Sequence, residues 1–177
     1  MKHYDFADKF RALYDKAAKL YASGQTDQAA YFTADERAFL ATNGISVQAM
    51  YDYAEDQKNY GEPGYDRALE IETIRRDYFL NVQQGKASTT VLDVAKMPAK
   101  TDAVKGIEWL PRLLPKAKAK LRGELPASLM YSCGGDRNFF KQHDILPAEF
   151  LSLVWRNGDN DAATVDWVAA RSASSRA

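Results

Sequence analysis

Residues Leu110–Trp155 read LPRLLPKAKAKLRGELPASLMYSCGGDRNFFKQHDILPAEFLSLVW, and the way this stretch is punctuated decides the fold class. Pro111 suits the first turn of a helix, whereas Pro115 inside one would remove a backbone donor and crowd the preceding turn. The expectation is one turn around Trp109, then a helix starting near Pro115. Leu125 to Tyr131 reads as extended or irregular. Asp136 is the candidate cap of a short helix over Arg137–Gln142, and Pro147 opens a further helix that reaches Trp155. The same stretch holds the only cysteine, Cys133, together with His143 and the densest basic segment.

Working outward, helices recur on both sides. From Tyr4 to Tyr21 the residues Phe6, Phe10, Leu13, Tyr14, Ala17 and Leu20 return every three or four positions, which predicts a helix burying one stripe. Thr33-Ala-Asp-Glu36 has the form of a capping box, and the helix behind it ends at Asn43-Gly44. Ser46 caps a helix over Val47 to about Gln57. Beyond the turn-forming Asn59–Gly64, Tyr65 to about Val82 reads as a long helix in which Glu72 and Arg76 can pair. Residues 86–101 lose the helical period and read as a linker, with Thr89–Val94 open to an extended conformation. On the far side, Asp161 to about Arg171 predicts a last helix, and 172–177 a disordered tail. The fold class is therefore all-α, with little or no strand.

Composition narrows the functional classes. With 177 residues, 46% hydrophobic and 27% charged, the chain has the make-up of a folded globular protein, either one core or two small domains. No apolar run approaches a membrane span, and the charged, amphipathic N-terminus lacks the pattern of a signal peptide. A lone cysteine gives no internal disulfide, so a cytoplasmic setting is expected. Lys plus Arg number 24 and Asp plus Glu 24, which removes overall charge as a pointer to nucleic acid or membrane.

The order of elements occurs twice. Aligned without a gap at an offset of 100, Leu13, Lys16 and Ala17 fall on Leu113, Lys116 and Ala117; Tyr31, Arg37, Phe39 and Ile45 fall on Tyr131, Arg137, Phe139 and Ile145. Glu36 and Asp136 match in character. Two tandem repeats of a small helical unit with approximate internal symmetry are expected: 1–85 as the first, 86–101 as linker, 102–171 as the second. Residues from about 92 to 170 also resemble an uncharacterised bacterial family catalogued only as a domain of unknown function, number 5069. The likeness is carried by Leu110-Pro-Arg-Leu-Leu114, Lys116–Gly123, Tyr131 with Cys133, Asp136-Arg137 and Phe139-Phe140. It implies that the first repeat, at about 5–82, is a diverged copy, and it implies no activity. Pro115 departs from the family's pattern, which has an aspartate there; the first repeat keeps Asp15.

Three kinds of chemistry remain. Cys133, beside a helix start and Arg137, could act as a nucleophile or redox sensor with His143 or Asp136 as its partner, although free cysteine more often serves as a small apolar side chain. Arg37 and Arg137, each beside an acid and near Tyr31 or Tyr131, could grip a carboxylate or phosphate with help from Lys116, or could equally serve structure. The basic residues Lys96, Lys100, Lys105, Arg112, Lys116, Lys118, Lys120 and Arg122 could meet nucleic acid phosphates. Docking onto the acidic run Asp52–Asp77, within a chain or in a homodimer, explains them with fewer assumptions. With two histidines and one cysteine, neither a metal site nor a cofactor is expected. The resulting expectation is a non-catalytic binding or accessory protein for a small anionic molecule or a protein partner. Its site would lie between the repeats or at the second repeat's loop. The competing classes are a Cys133-dependent enzyme and a nucleic-acid binder.

Overall fold

The computed structural model describes residues 3–174 and divides the chain into two units, Met1–Lys86 and Ala87–Ala177. In the first unit, α1 (Phe6–Ala22), α2 (Ala34–Thr42), α3 (Val47–Tyr60) and α4 (Tyr65–Asn81) follow one another with short breaks. The α1 stripe of Phe6, Phe10, Leu13, Tyr14 and Ala17 is buried, mostly along α3. The capping box opening α2 is present in full: Thr33 Oγ1 accepts from Glu36 N, and the Glu36 carboxylate accepts from Thr33 N at 2.7 Å. Ser46 caps α3 as expected, and Gly61 in the left-handed region ends it. Glu72 accepts a bond from the Tyr53 hydroxyl at 2.7 Å, and Arg76 donates to Asn43 Oδ1 at 2.6 Å. These two bonds tie α4 to α3 and to the end of α2.

In the second unit, residues 87–101 are an attached strap and not the free linker that their composition suggests. Leu92 N donates to Glu124 O at 2.8 Å, Ser88 Oγ donates to the Glu124 carboxylate, and one 3₁₀ turn spans Val94–Lys96. A hairpin of two-residue strands follows, β1 (Ala103–Val104) and β2 (Ile107–Glu108), its turn made by Lys105 and Gly106 at positive φ. That is the backbone sign a tight two-residue hairpin demands. Helix α5 (Leu110–Arg122) starts directly after Trp109 and passes through Pro115, so the expected start near Pro115 is corrected. The missing Pro115 donor would have met the Pro111 carbonyl, and burial of Leu110, Leu113, Leu114 and Ala117 holds the helix together around that one absent bond.

Helices α6 (Gly134–Gln142), α7 (Pro147–Asn157) and α8 (Asp161–Ser174) complete this unit. Ser172–Ser174, expected in a disordered tail, continue α8, and Ser172 is buried; residues 175–177 lie outside the described ones. Helices α2 and α6 have bounds 100 positions apart at both ends, and so do the starts of α3 and α7. Buried positions fall in the same correspondence, with Tyr31 and Tyr131, Leu40 and Phe140, Ile45 and Ile145, and Met50 and Phe150 all in the core. The described chain is all-α apart from the one hairpin. No described helix is long and apolar enough to cross a membrane.

Candidate functional site

Of the residues singled out in the second unit, Lys116, Asp136 and Cys133 meet in one largely buried cluster, with Tyr131 and Arg137 securing the loop beside it. Asp136 sits in the first turn of α6 at its third position, and the residue flanking the helix start is Cys133. The expected capping role of Asp136 is therefore corrected: it does from inside the helix what Glu36 does in α2. Asp136 Oδ2 accepts from Ser132 N at 2.8 Å and from the Lys116 ammonium at 2.6 Å, while Oδ1 accepts from Trp109 Nε1 at 3.0 Å. The side chains of Lys116 and Asp136 are 3% and 0% exposed. Two charges out of water are tolerated only because each oxygen has a donor aimed at it. Lys116 Nζ also lies 3.2 Å from Cys133 Sγ.

Arg137 and Tyr131 secure the same loop. The Arg137 guanidinium donates to Ser132 O at 2.7 Å, and the Tyr131 hydroxyl donates to Pro147 O at 2.7 Å. Burial, and after it the Asp136 charge, push the Tyr131 phenol well above its ordinary range. Ser132 is wholly buried at positive φ, and its hydroxyl has no hydrogen-bond partner among the described residues.

In the first unit the lysine–acid pair and the arginine-to-carbonyl bond have counterparts in a wetter setting, while the Tyr31 hydroxyl bonds a different carbonyl from its counterpart. Lys16 meets Glu36 at 2.6 Å with side chains 37% and 27% exposed. The bond from Lys16, with those from the Thr33 segment, holds the Glu36 carboxyl below the usual range. Arg37 donates to Phe32 O at 3.0 Å and also to Ala29 O. The Tyr31 hydroxyl donates to Gln25 O at 2.6 Å, and burial pushes its phenol up to about 12. The polar atoms of Arg37, Arg137, Tyr31 and Tyr131 thus point at backbone carbonyls, the arrangement of residues that shape loops.

His143 is not brought to Cys133. The two flank opposite ends of the nine-residue α6, which at about 1.5 Å of rise per residue separates them by roughly 15 Å. His143 Nδ1 instead lies 2.7 Å from Ser172 Oγ, which is also 2.7 Å from Val168 O. A Cys133–His143 dyad is therefore ruled out by geometry.

What the motif reading missed is a cleft of about 490 Å³ in this unit, lined by Lys100, Glu108, Trp109, Asn138, Gln142 and His143 among others. Trp109 follows the hairpin at φ 70, a conformation that a bulky residue adopts only when its surroundings enforce it. Its indole is held by the bond to Asp136, and Gly135 makes room for it. A Cβ on Gly135 would stand 2.4 Å from the ring. Lys100 Nζ lies 5.9 Å from the ring centroid. Gly135, Asn138, Phe139, Gln142 and His143 occupy one face of α6 at the three- and four-residue spacing of a helix. That spacing was the one available signal, and it gave no hint of what faced it.

The basic run is largely neutralised where it stands. Lys96 pairs with Asp93, Lys105 with Asp166, Lys116 with Asp136, Lys118 with Asp161 and Arg122 with Glu124, while Arg112 donates to Pro98 O. No family model, curated protein or solved structure matches the chain.

Proposed function

We propose that the chain is a non-catalytic binding protein that takes a small anionic molecule in the cleft beside Trp109. The carrying observation is the cleft itself, with an indole fixed by Asp136 and Gly135 and the Lys100 ammonium beside it. Its volume falls within the usual range for small-molecule sites, and its polar groups come from three separate stretches. Arg37, Arg137, Tyr31, Tyr131 and Lys116 are then supports for the loops, and the contacts to the ligand pass to Lys100, Asn138, Gln142 and His143. A protein partner is the coarser form of the same reading. A cytoplasmic setting belongs to this proposal and follows from the lone cysteine. The local pairing of the basic run takes away the charge argument for nucleic acid and for a homodimer.

Thermal unfolding in the presence of phosphate, citrate and nucleoside monophosphates tests the reading. A ligand that binds only the folded state raises the midpoint as its concentration rises. A concentration-dependent rise with at least one of these anions, lost in Lys100→Ala, is expected; no rise with any of them contradicts it.

One observation favours a second reading, a cysteine-dependent enzyme or redox sensor. Cys133 is partly exposed at the start of α6, with Lys116 Nζ 3.2 Å from its sulfur. Under this reading iodoacetamide alkylates Cys133 in the folded protein faster than a free thiol at neutral pH. A thiol that reacts only after denaturation ends it.

We also propose that the two units descend from one ancestral helical unit, with residues 92–170 the copy that resembles domain of unknown function 5069. The coincident bounds of α2 and α6 and the matching wiring of Lys16–Glu36 and Lys116–Asp136 support this.

A further inference from the structure

We propose that the ligand of the Trp109 cleft is a nucleoside monophosphate, with its base stacked on the indole and its phosphate held by Lys100. This rests on reading the cleft as a binding site and names the ligand class. Four features of the lining lead to it. The first is the indole of the half-buried Trp109, tethered through Nε1 to Asp136 and backed by Gly135, so the ring itself need not move to meet a planar base once the Lys100 ammonium leaves its face. Stacking on a fixed aromatic side chain is how proteins hold bases when sequence readout is not required.

The second is the pair Asn138 and Gln142, one turn apart on the cleft face of α6 and both exposed. A carboxamide offers a donor and an acceptor side by side, which matches the edge of a nucleobase and gives no such advantage for citrate or a fatty acid. Third, Glu108 at the end of β2 is exposed on the same cleft, and a carboxylate accepts from a ribose diol. The fourth is Lys100. Its exposed contact over Trp109 at 5.9 Å is weak and easily exchanged for a phosphate, which an ammonium binds as a point charge. Glu108 beside the site disfavours ligands that carry several negative charges and no vicinal diol, which argues against inorganic pyrophosphate or citrate as the preferred occupant. The cleft volume of about 490 Å³ suits a single nucleotide.

Calorimetric titration of the full chain with AMP, GMP, CMP and UMP, beside ribose 5-phosphate, adenosine and inorganic phosphate, tests this. At least one nucleoside monophosphate should bind tenfold or more tightly than ribose 5-phosphate. Lys100→Ala should weaken that nucleotide about tenfold and leave its nucleoside unchanged, and Gln142→Ala should narrow the differences among bases. Both positions are exposed, so the variants fold. If ribose 5-phosphate or phosphate binds as tightly as every nucleotide and depends on Lys100, the cleft binds anions and the nucleotide proposal is overturned. Should no probe bind, or should binding ignore Lys100, both this proposal and the reading of the cleft fall.

Discussion

Lys116 and Asp136 are the residues whose removal the second unit tolerates least. Either one alone leaves a charge buried without its partner, at a cost of about 3–5 kcal/mol. Lys116→Met is therefore expected to lower the denaturation midpoint sharply in urea titrations, and the double variant Lys116→Met/Asp136→Asn, which removes the unpaired charge and keeps an acceptor for the donors of Ser132 and Trp109, to recover part of the loss. A single variant as stable as the natural chain would contradict the buried-pair account. The equivalent Lys16–Glu36 pair is more than a third exposed on its lysine side and contributes about 0.2–1 kcal/mol. Its pH dependence follows from the lowered Glu36 value. The contribution is present above the carboxylate's unfolded value and is lost as pH falls through its lower folded value. Acid unfolding of Lys16→Met should then show a smaller loss of stability across that window than the natural chain.

At the scale of elements, two glycines carry constraints that no other residue meets. Gly44 has φ 70, and a Cβ there would stand 2.5 Å from Phe79 Cγ; Gly44→Ala combines left-handed strain with a core clash and should cost about 1–3 kcal/mol. Gly135→Ala would drive a methyl into the Trp109 ring. It should move the indole as well as lower stability by about 1–3 kcal/mol, both visible in tryptophan fluorescence and unfolding curves. Helix existence was legible wherever local chemistry was complete. Thr33 with Glu36 marks the start of α2 to the residue, and Ser46 does so for α3. In α6 the flanking position holds Cys133, which has no oxygen to cap with, so the nearest acid, Asp136, took that role in the sequence reading although it lies one turn in. Pro115 misled in the opposite direction, because burial of the α5 stripe outweighs one missing backbone bond.

For the whole molecule, the bounds of α2 and α6 and the starts of α3 and α7 fall at the offset of 100 that Leu13, Lys16, Arg37 and Ile45 and their counterparts suggested, whereas α4 and α8 do not. The cleft was not legible. It joins Lys100 from an apparent linker, Glu108 and Trp109 from a hairpin of two-residue strands, and one face of α6; nothing in their spacing along the chain announces that meeting. Burial raises the phenols of Tyr14, Tyr31 and Tyr131. Tyr14 and Tyr31 are raised from an ordinary value of 10.0 to about 12, and burial also pushes Tyr131 well above 10.0. Their stabilising contribution is complete below the unfolded value and is lost as pH rises through the folded ones, so stability should fall steeply between these limits. Tyrosinate absorbance in a pH titration should show exposed phenols such as Tyr60 ionising first and a further set ionising only together with unfolding, and ionisation of all ten tyrosines near pH 10 with the helices intact would contradict the burial of Tyr14, Tyr31 and Tyr131.

The central claim is that Trp109 and Lys100 form a ligand site, and the Trp109 indole N–H proton resonance reports on it directly. Titrating the full chain with nucleoside monophosphates should shift that resonance saturably while those of Trp155 and Trp167 stay in place, and Lys100→Ala should abolish the shift at the same concentrations. An indole resonance that never moves, or one that moves equally in Lys100→Ala, contradicts the account.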